Sequence, residues 1–285
     1  MKPTTILLWA FLLAILKFGS CMRLLVVSFI ALLFYGSPLL AADDWYRPPV
    51  SVTWQWQLDG VINESYDVDL YNIDLFDSSA ELIQRLQSSG KKVICAFSAG
   101  SYEDWRSDAS IFAPQDLGKT LSGWDNEKWL DIRSKNVHKI MLARLDMAVQ
   151  KGCDGVEPDK VDGYRTNTGF PFRANDQLTF NRLLADEAHK RGLAIGLKNN
   201  LDQARVLSDH FDFAVNEQCF EFSECRTLSI FIKKGKPVLN VEYRKIYVDD
   251  LSERASMCKQ SLALEFSSLL LPSDLNDAFR VSCQP

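Results

Sequence analysis

Val137-His-Lys-Ile-Met-Leu-Ala-Arg-Leu-Asp-Met-Ala-Val-Gln150 runs through Lys151-Gly152 into Cys153-Asp-Gly-Val-Glu157-Pro-Asp159-Lys-Val-Asp162. In the first part apolar residues recur near the i, i+3, i+4 spacing, the pattern of a helix with one buried face. Gly152 suits the left-handed residue that ends such a helix. The short apolar stretch 155–157 then reads as a strand whose C-terminal end is crowded with carboxylates. Helix, glycine, short strand and polar end together form one unit of a repeated βα chain.

The same alternation extends in both directions. Candidate strands lie at 53–58, 68–75, 92–97, 155–157, 194–198, 213–217, 238–242 and 262–266, which makes eight. Clear helical stretches at 79–88, 137–150 and 178–190 are followed by Gly90, Gly152 and Gly192. Eight units predict an α/β fold, a (β/α)8 TIM barrel in a single domain covering residues 43–285. An open doubly wound sheet is the rival, but no G-x-G-x-x-G or Walker-type loop follows any strand.

A barrel builds its active site at the C-terminal ends of its strands. Those ends are acidic here: Asp74 and Asp77 after the second, Glu157, Asp159 and Asp162 around the fourth, Glu217 after the sixth, Glu242 after the seventh. Asp is also a common helix N-cap, and Asp77 before Ser78-Ser79-Ala-Glu81 fits that role. Glu217 follows Phe-Ala-Val-Asn with no helix signal behind it. Two carboxylates facing each other across a cavity serve glycosidic cleavage: one protonates the leaving oxygen, the other attacks the anomeric carbon or activates water. Trp54, Trp56, Tyr102, Trp105, Trp124 and Tyr243 fall in or beside strand ends, where flat rings stack on sugars, although Trp54 and Trp56 fit a core equally well. Lys198-Asn199-Asn200 adds hydrogen-bonding groups to the same rim, and one of the asparagines also suits a helix N-cap.

Residues 1–42 hold two apolar runs separated by Lys17-Phe-Gly-Ser-Cys-Met-Arg23. The second reads as a secretory signal that starts at Met22, has its apolar region at 24–35 and exits at Pro38-Leu-Leu-Ala-Ala42. A lipoprotein signal ending at Cys21 and an uncleaved anchor are the rival readings. Cleavage after Ala42 takes 42 of the 285 residues and leaves 243, the size of one barrel. It also takes Lys2, Lys17 and Arg23, so the formal charge moves from −5 to −8. With no basic run, nucleic acid and anionic membrane are not expected partners. A secreted monomer acting on a polysaccharide is expected.

Of seven cysteines, Cys21 lies in the signal region, which leaves an even six in an exported chain. Cys219 with Cys225 and Cys258 with Cys283 are the expected disulfides, while Cys95 and Cys153, inside apolar segments, fit buried thiols. With no CxxC pair and three His, a zinc site is not expected.

The run Asp154-Gly-Val-Glu-Pro-Asp-Lys-Val-Asp-Gly-Tyr164, with 92–101, 192–199 and 213–219, resembles glycoside hydrolase family 114, the endo-α-1,4-polygalactosaminidases. The likeness extends over roughly 54–266. It implies a (β/α)8 barrel hydrolysing α-1,4 links in galactosamine-rich polymers, without metal or organic cofactor. Carried over, the family's catalytic pair falls on Asp159 and Glu217, with Asp159 as nucleophile or base and Glu217 as general acid, roles that are open to exchange. Asp74, Tyr102, Trp124, Glu157, Asp162, Lys198, Asn200, Glu242 and Tyr243 are the candidates for contact with substrate. The family pattern has Asn after the catalytic Asp, where this chain has Lys160. An ammonium there favours ionised Asp159 and disfavours a cationic sugar beside it. The alternatives are a carbohydrate-binding barrel without turnover and an aldolase-type barrel using Lys198, for which a phosphate-binding loop is missing.

Overall fold

A computed structural model of the chain describes residues 45–284. The signal region proposed for 1–42 lies outside them.

Eight parallel strands follow one another around a curled sheet. They are β1 (Trp54–Gln57), β2 (Leu70–Asp74), β3 (Lys92–Ser98), β7 (Gly155–Asp159), β8 (Ala194–Lys198), β9 (Phe213–Glu217), β10 (Val238–Glu242) and β11 (Ser267–Leu270). A two-residue strand, β12 (Val281–Ser282), adds antiparallel to β11. The ends of the sheet meet through side chains: the Trp54 indole donates to the Ser267 carbonyl at 2.9 Å, and the Ser267 hydroxyl donates to Val52 O at 2.8 Å. One apolar cluster, which includes Trp54, Leu70, Ile94, Phe213, Leu239 and Leu269, draws on strands all around the sheet and fills the barrel. A second, larger cluster lies between the sheet and the helices. This is the TIM-barrel arrangement that the eight-unit pattern predicts.

The helices are α1 (Ala80–Ser88), α2 (Lys135–Lys151), α3 (Ala174–His189), α4 (Ala204–Leu207), α5 (Ser229–Ile232), α6 (Lys245–Asp249) and α7 (Leu251–Ala263). Ser79, not Asp77, caps α1, its hydroxyl accepting from Leu82 N. Asp77 instead pairs with Arg106 at 3.1 Å. Gly152 closes α2 in the left-handed conformation, as the sequence demands.

The eighth strand begins later than its apolar run suggests. Residues 262–263 still belong to α7, which Asp250 caps by accepting from Ser252 N and Glu253 N. Glu265 turns the chain at φ 59, and the strand is Ser267–Leu270. Its two serines are buried because the Ser267 hydroxyl bonds to Val52 O and the Ser268 hydroxyl takes a 2.7 Å bond from Ser261, so a polar start was hidden from hydropathy.

Between β3 and α2 the chain makes an excursion that the alternation does not announce. β4 (Ser101–Glu103), β5 (Leu117–Leu121) and β6 (Trp124–Leu130) form a small antiparallel sheet in the order β4-β6-β5. Cys219–Cys225 and Cys258–Cys283 are disulfides as expected. Cys95 and Cys153 are also bonded, tying β3 to the turn before β7; the expectation of two buried thiols is corrected, because β3 and β7 are neighbours in the barrel.

Candidate active site

The C-terminal ends of β7, β8 and β9 carry Asp159, Lys198 and Glu217 side by side. Parallel pairing of these strands brings together residues far apart in the chain. The residue after each end is held at positive φ: Lys160 at 60°, Asn199 at 49° and Gln218 at 64°, with Asn200 at 51°. Lys and Gln rarely adopt this conformation, and strain of this kind collects at functional sites.

Lys198 is 4 % exposed, and its ammonium serves three carboxylates at once. It lies 3.3 Å from Glu157 Oε1, 3.4 Å from Asp159 Oδ1 and 3.3 Å from Glu217 Oε2, with the Trp56 ring 4.7 Å away. Burial works to strip its proton, but Asp159, Glu217 and Glu157 outweigh that and hold its pKa well above the ordinary lysine value. Because one nitrogen touches both Asp159 and Glu217, their facing oxygens are no farther apart than those two distances combined.

Asp159 accepts from the Lys160 backbone N–H at 2.7 Å and from the Lys160 ammonium at 3.1 Å. Burial opposes its charge, yet Lys160 and Lys198 together pull its pKa well below the usual carboxylate range. Glu217 accepts from the Tyr243 hydroxyl at 2.6 Å and from the Asn199 amide at 3.3 Å. Burial and the nearby Asp159 raise its proton affinity; Lys198 and Tyr243 lower it, and the balance is downward in the free protein. Glu157, 1 % exposed, behaves oppositely: burial drives its carboxyl up to about 7 despite Lys198.

These groups line a cleft of about 460 Å³ at the mouth of the barrel. Asp74, Trp124, Glu157, Asp159, Lys198 and Glu217 all face it, and Tyr243 reaches it through Glu217. Asp74 is committed to Arg106, which grips it through both guanidinium nitrogens at 2.6 and 3.0 Å.

Four of the other candidates lie elsewhere. Tyr102 packs edge-on against Phe112 at 5.6 Å in the outer core. The Asn200 amide is buried and donates to Val161 O and Gln203 Oε1, both at 3.0 Å, so it fastens loops; its neighbour Asn199 reaches Glu217 instead. Glu242 is buried and accepts from Phe220 N at 2.9 Å and Glu221 N at 3.4 Å, holding the loop after Glu217. Asp162 is half-buried and does not line the cleft. The side chains of Tyr102, Asn200 and Glu242 are thus spent on core or backbone.

Five residues complete the site without having been singled out as its members: Asn199, and Glu103, Trp105, Arg106 and Glu127 from the small antiparallel sheet and its connections. The last four belong to an insertion, so the barrel pattern carried no signal for Glu103, Arg106 and Glu127, and Trp105 was marked only as one of several aromatics suited to sugar stacking. Altogether nine carboxyl groups and three cationic side chains face the cleft, which makes it strongly acidic.

Known proteins share this architecture. The model of glycoside-hydrolase family GH114 matches residues 37–285. Ega3 of Aspergillus fumigatus, whose crystal structure contains galactosamine, is 41 % identical, with a TM-score of 0.79 over 84 % of this chain and 97 % of that one. The glycoside hydrolase domain of PelA from Pseudomonas aeruginosa, at 14 % identity and a TM-score of 0.64, covers 82 % of this chain and 99 % of its own and shares the fold. No curated protein matches the chain. With the family model spanning all of the described barrel and a 41 % identical relative covered almost end to end, the chain belongs to glycoside hydrolase family GH114.

Proposed function

We propose that this hydrolase cleaves α-1,4 links in a galactosamine-containing polysaccharide, with Asp159 as nucleophile and Glu217 as acid and then base. The observation that supports it most is the single ammonium of Lys198 touching both carboxylates at the floor of an acidic cleft. That contact leaves room for the about 5–5.5 Å separation at which one carboxylate of a retaining glycosidase attacks while the other serves as acid.

In the first step the Asp159 carboxylate, kept ionised by two ammonium groups, attacks the anomeric carbon as the glycosidic C–O bond breaks. Glu217 gives its proton to the departing oxygen. It takes up that proton on substrate entry, when the sugar strips water from the cleft and the charge on Asp159 faces it through a drier medium. In the second step Glu217, now a carboxylate, removes a proton from water, which attacks the glycosyl ester and frees Asp159. Tyr243 and Asn199 hold Glu217 on the line between the two oxygens. The acidic walls suit a polymer whose amino groups are protonated, and galactosamine is the sugar in the Ega3 complex.

Residues 1–42 serve as an export signal in this reading, and the three disulfides suit an oxidising compartment.

The test is hydrolysis of partly deacetylated α-1,4-galactosamine polymer by Asp159→Asn and Glu217→Gln, with released oligomers measured by mass spectrometry. Each variant should fold and bind oligosaccharide while losing several orders of magnitude in turnover. Wild-type turnover by either one overturns the assignment.

A further inference from the structure

Glu127 is a buried carboxylate in the cleft wall with no cation at ion-pair distance among the described residues. It stands on β6 and is 7 % exposed, with one oxygen accepting a 2.7 Å bond from the Ser101 hydroxyl. Ion pairs on this wall go to Glu103, with Arg106 at 3.0 Å and Arg144 at 3.9 Å; among the described residues none goes to Glu127. Glu103 lies directly across the β4/β6 pair from it and is 6 % exposed. Like charges at opposing positions weaken a sheet, and a buried carboxylate lacking a cation weakens it further. Burial accordingly pushes the Glu127 carboxyl above its ordinary range, although Ser101 and Lys160 pull the other way.

A binding role accounts for an arrangement that harms the empty protein. Trp124, three residues earlier on the same strand, is 57 % exposed and faces the same cleft. The Lys160 ammonium lies 5.8 Å from its ring centroid and 3.1 Å from Asp159 Oδ2, so this wall is continuous with the reaction centre. An aromatic face and a carboxylate without an ion-pair partner, lining the same cleft, suit a sugar ring carrying a positive charge.

We propose that Trp124 and Glu127 form a recognition subsite for a protonated amino sugar, the ring stacked on the indole and its ammonium bonded to the free oxygen of Glu127. The subsite rests on the hydrolase reading only for which sugar of the chain it holds.

Calorimetric titration of a thio-linked, non-hydrolysable α-1,4-galactosamine oligosaccharide, and of its fully N-acetylated counterpart, into wild type and Glu127→Gln tests it. Glutamine keeps an acceptor for Ser101 and thus the wall. The wild type should favour the amine, and E127Q should bind it about tenfold or more weakly while binding the N-acetylated chain as before. Trp124→Ala should weaken both ligands alike. Retention of the amine preference by E127Q, or equal loss of both ligands, overturns the subsite. Binding is measured without turnover, so a wild type that cuts no polymer counts against Asp159 and Glu217 and leaves this result standing.

Discussion

At Lys198 one ammonium is divided among Glu157, Asp159 and Glu217, and the three carboxyls respond differently to it. Asp159, helped by Lys160, is held ionised; Glu157, entirely buried, keeps a proton up to about 7. Glu157 has a consequence for stability. Its ordinary value is 4.5, so between there and about 7 the folded protein holds a proton that the unfolded chain releases. Stability is therefore greatest below that window and is lost as pH rises through it, by at most about 1.4 kcal/mol per pH unit. Thermal melts from pH 4 upward should show this fall in the wild type and a flatter profile in Glu157→Gln; equal slopes would rule out Glu157 as the source.

The elements that matter are strand ends and what braces them. β3 stops at Ser98, and the next two backbone amides, of Ala99 and Gly100, donate to Asp159 O at 2.9 and 3.1 Å. At Gly100 a Cβ would fall 1.7 Å from the carbonyl oxygen of Lys160, so only glycine lets the two segments meet. Gly100→Ala must push the Lys160 backbone aside, and with it both the Lys160 ammonium and the carboxylate of Asp159, the proposed nucleophile. We expect a fall in kcat of about 10²-fold, since misplacement by about 1 Å near a reacting centre is that costly. Steady-state kinetics beside a thermal melt checks it; a folded variant with unchanged kcat would show that the loop yields harmlessly. The small sheet β4–β6 is the other decisive element, because it supplies one wall of the cleft while leaving the barrel's hydrogen bonding untouched.

Across the whole molecule, closure rests on few direct links between the first and last strands, and three disulfides add covalent ties. Cys95–Cys153 spans 58 residues and ties β3 to the turn that leads into β7, the strand that ends in Asp159. Replacing both with serine should lower stability in urea unfolding by about 2–4 kcal/mol. A change below about 0.5 kcal/mol would mean that packing alone holds β3 and β7. The sequence by itself determined the repeating βα units, seven of the eight strands, the capping glycines and the crowd of acids at strand ends, because periodicity, glycine geometry and apolar clustering are local properties. It also marked Glu217, which ends its strand with no helix signal behind it, while Asp159 stood out among its neighbouring acids through the family resemblance. Only the tertiary structure decided which acids share a cation, which are spent on backbone amides, as Glu242 is, and which stand unpaired, as Glu127 does. Those outcomes depend on distances between residues tens of positions apart, which exist only once the sheet has closed and the excursion after β3 has folded over its mouth.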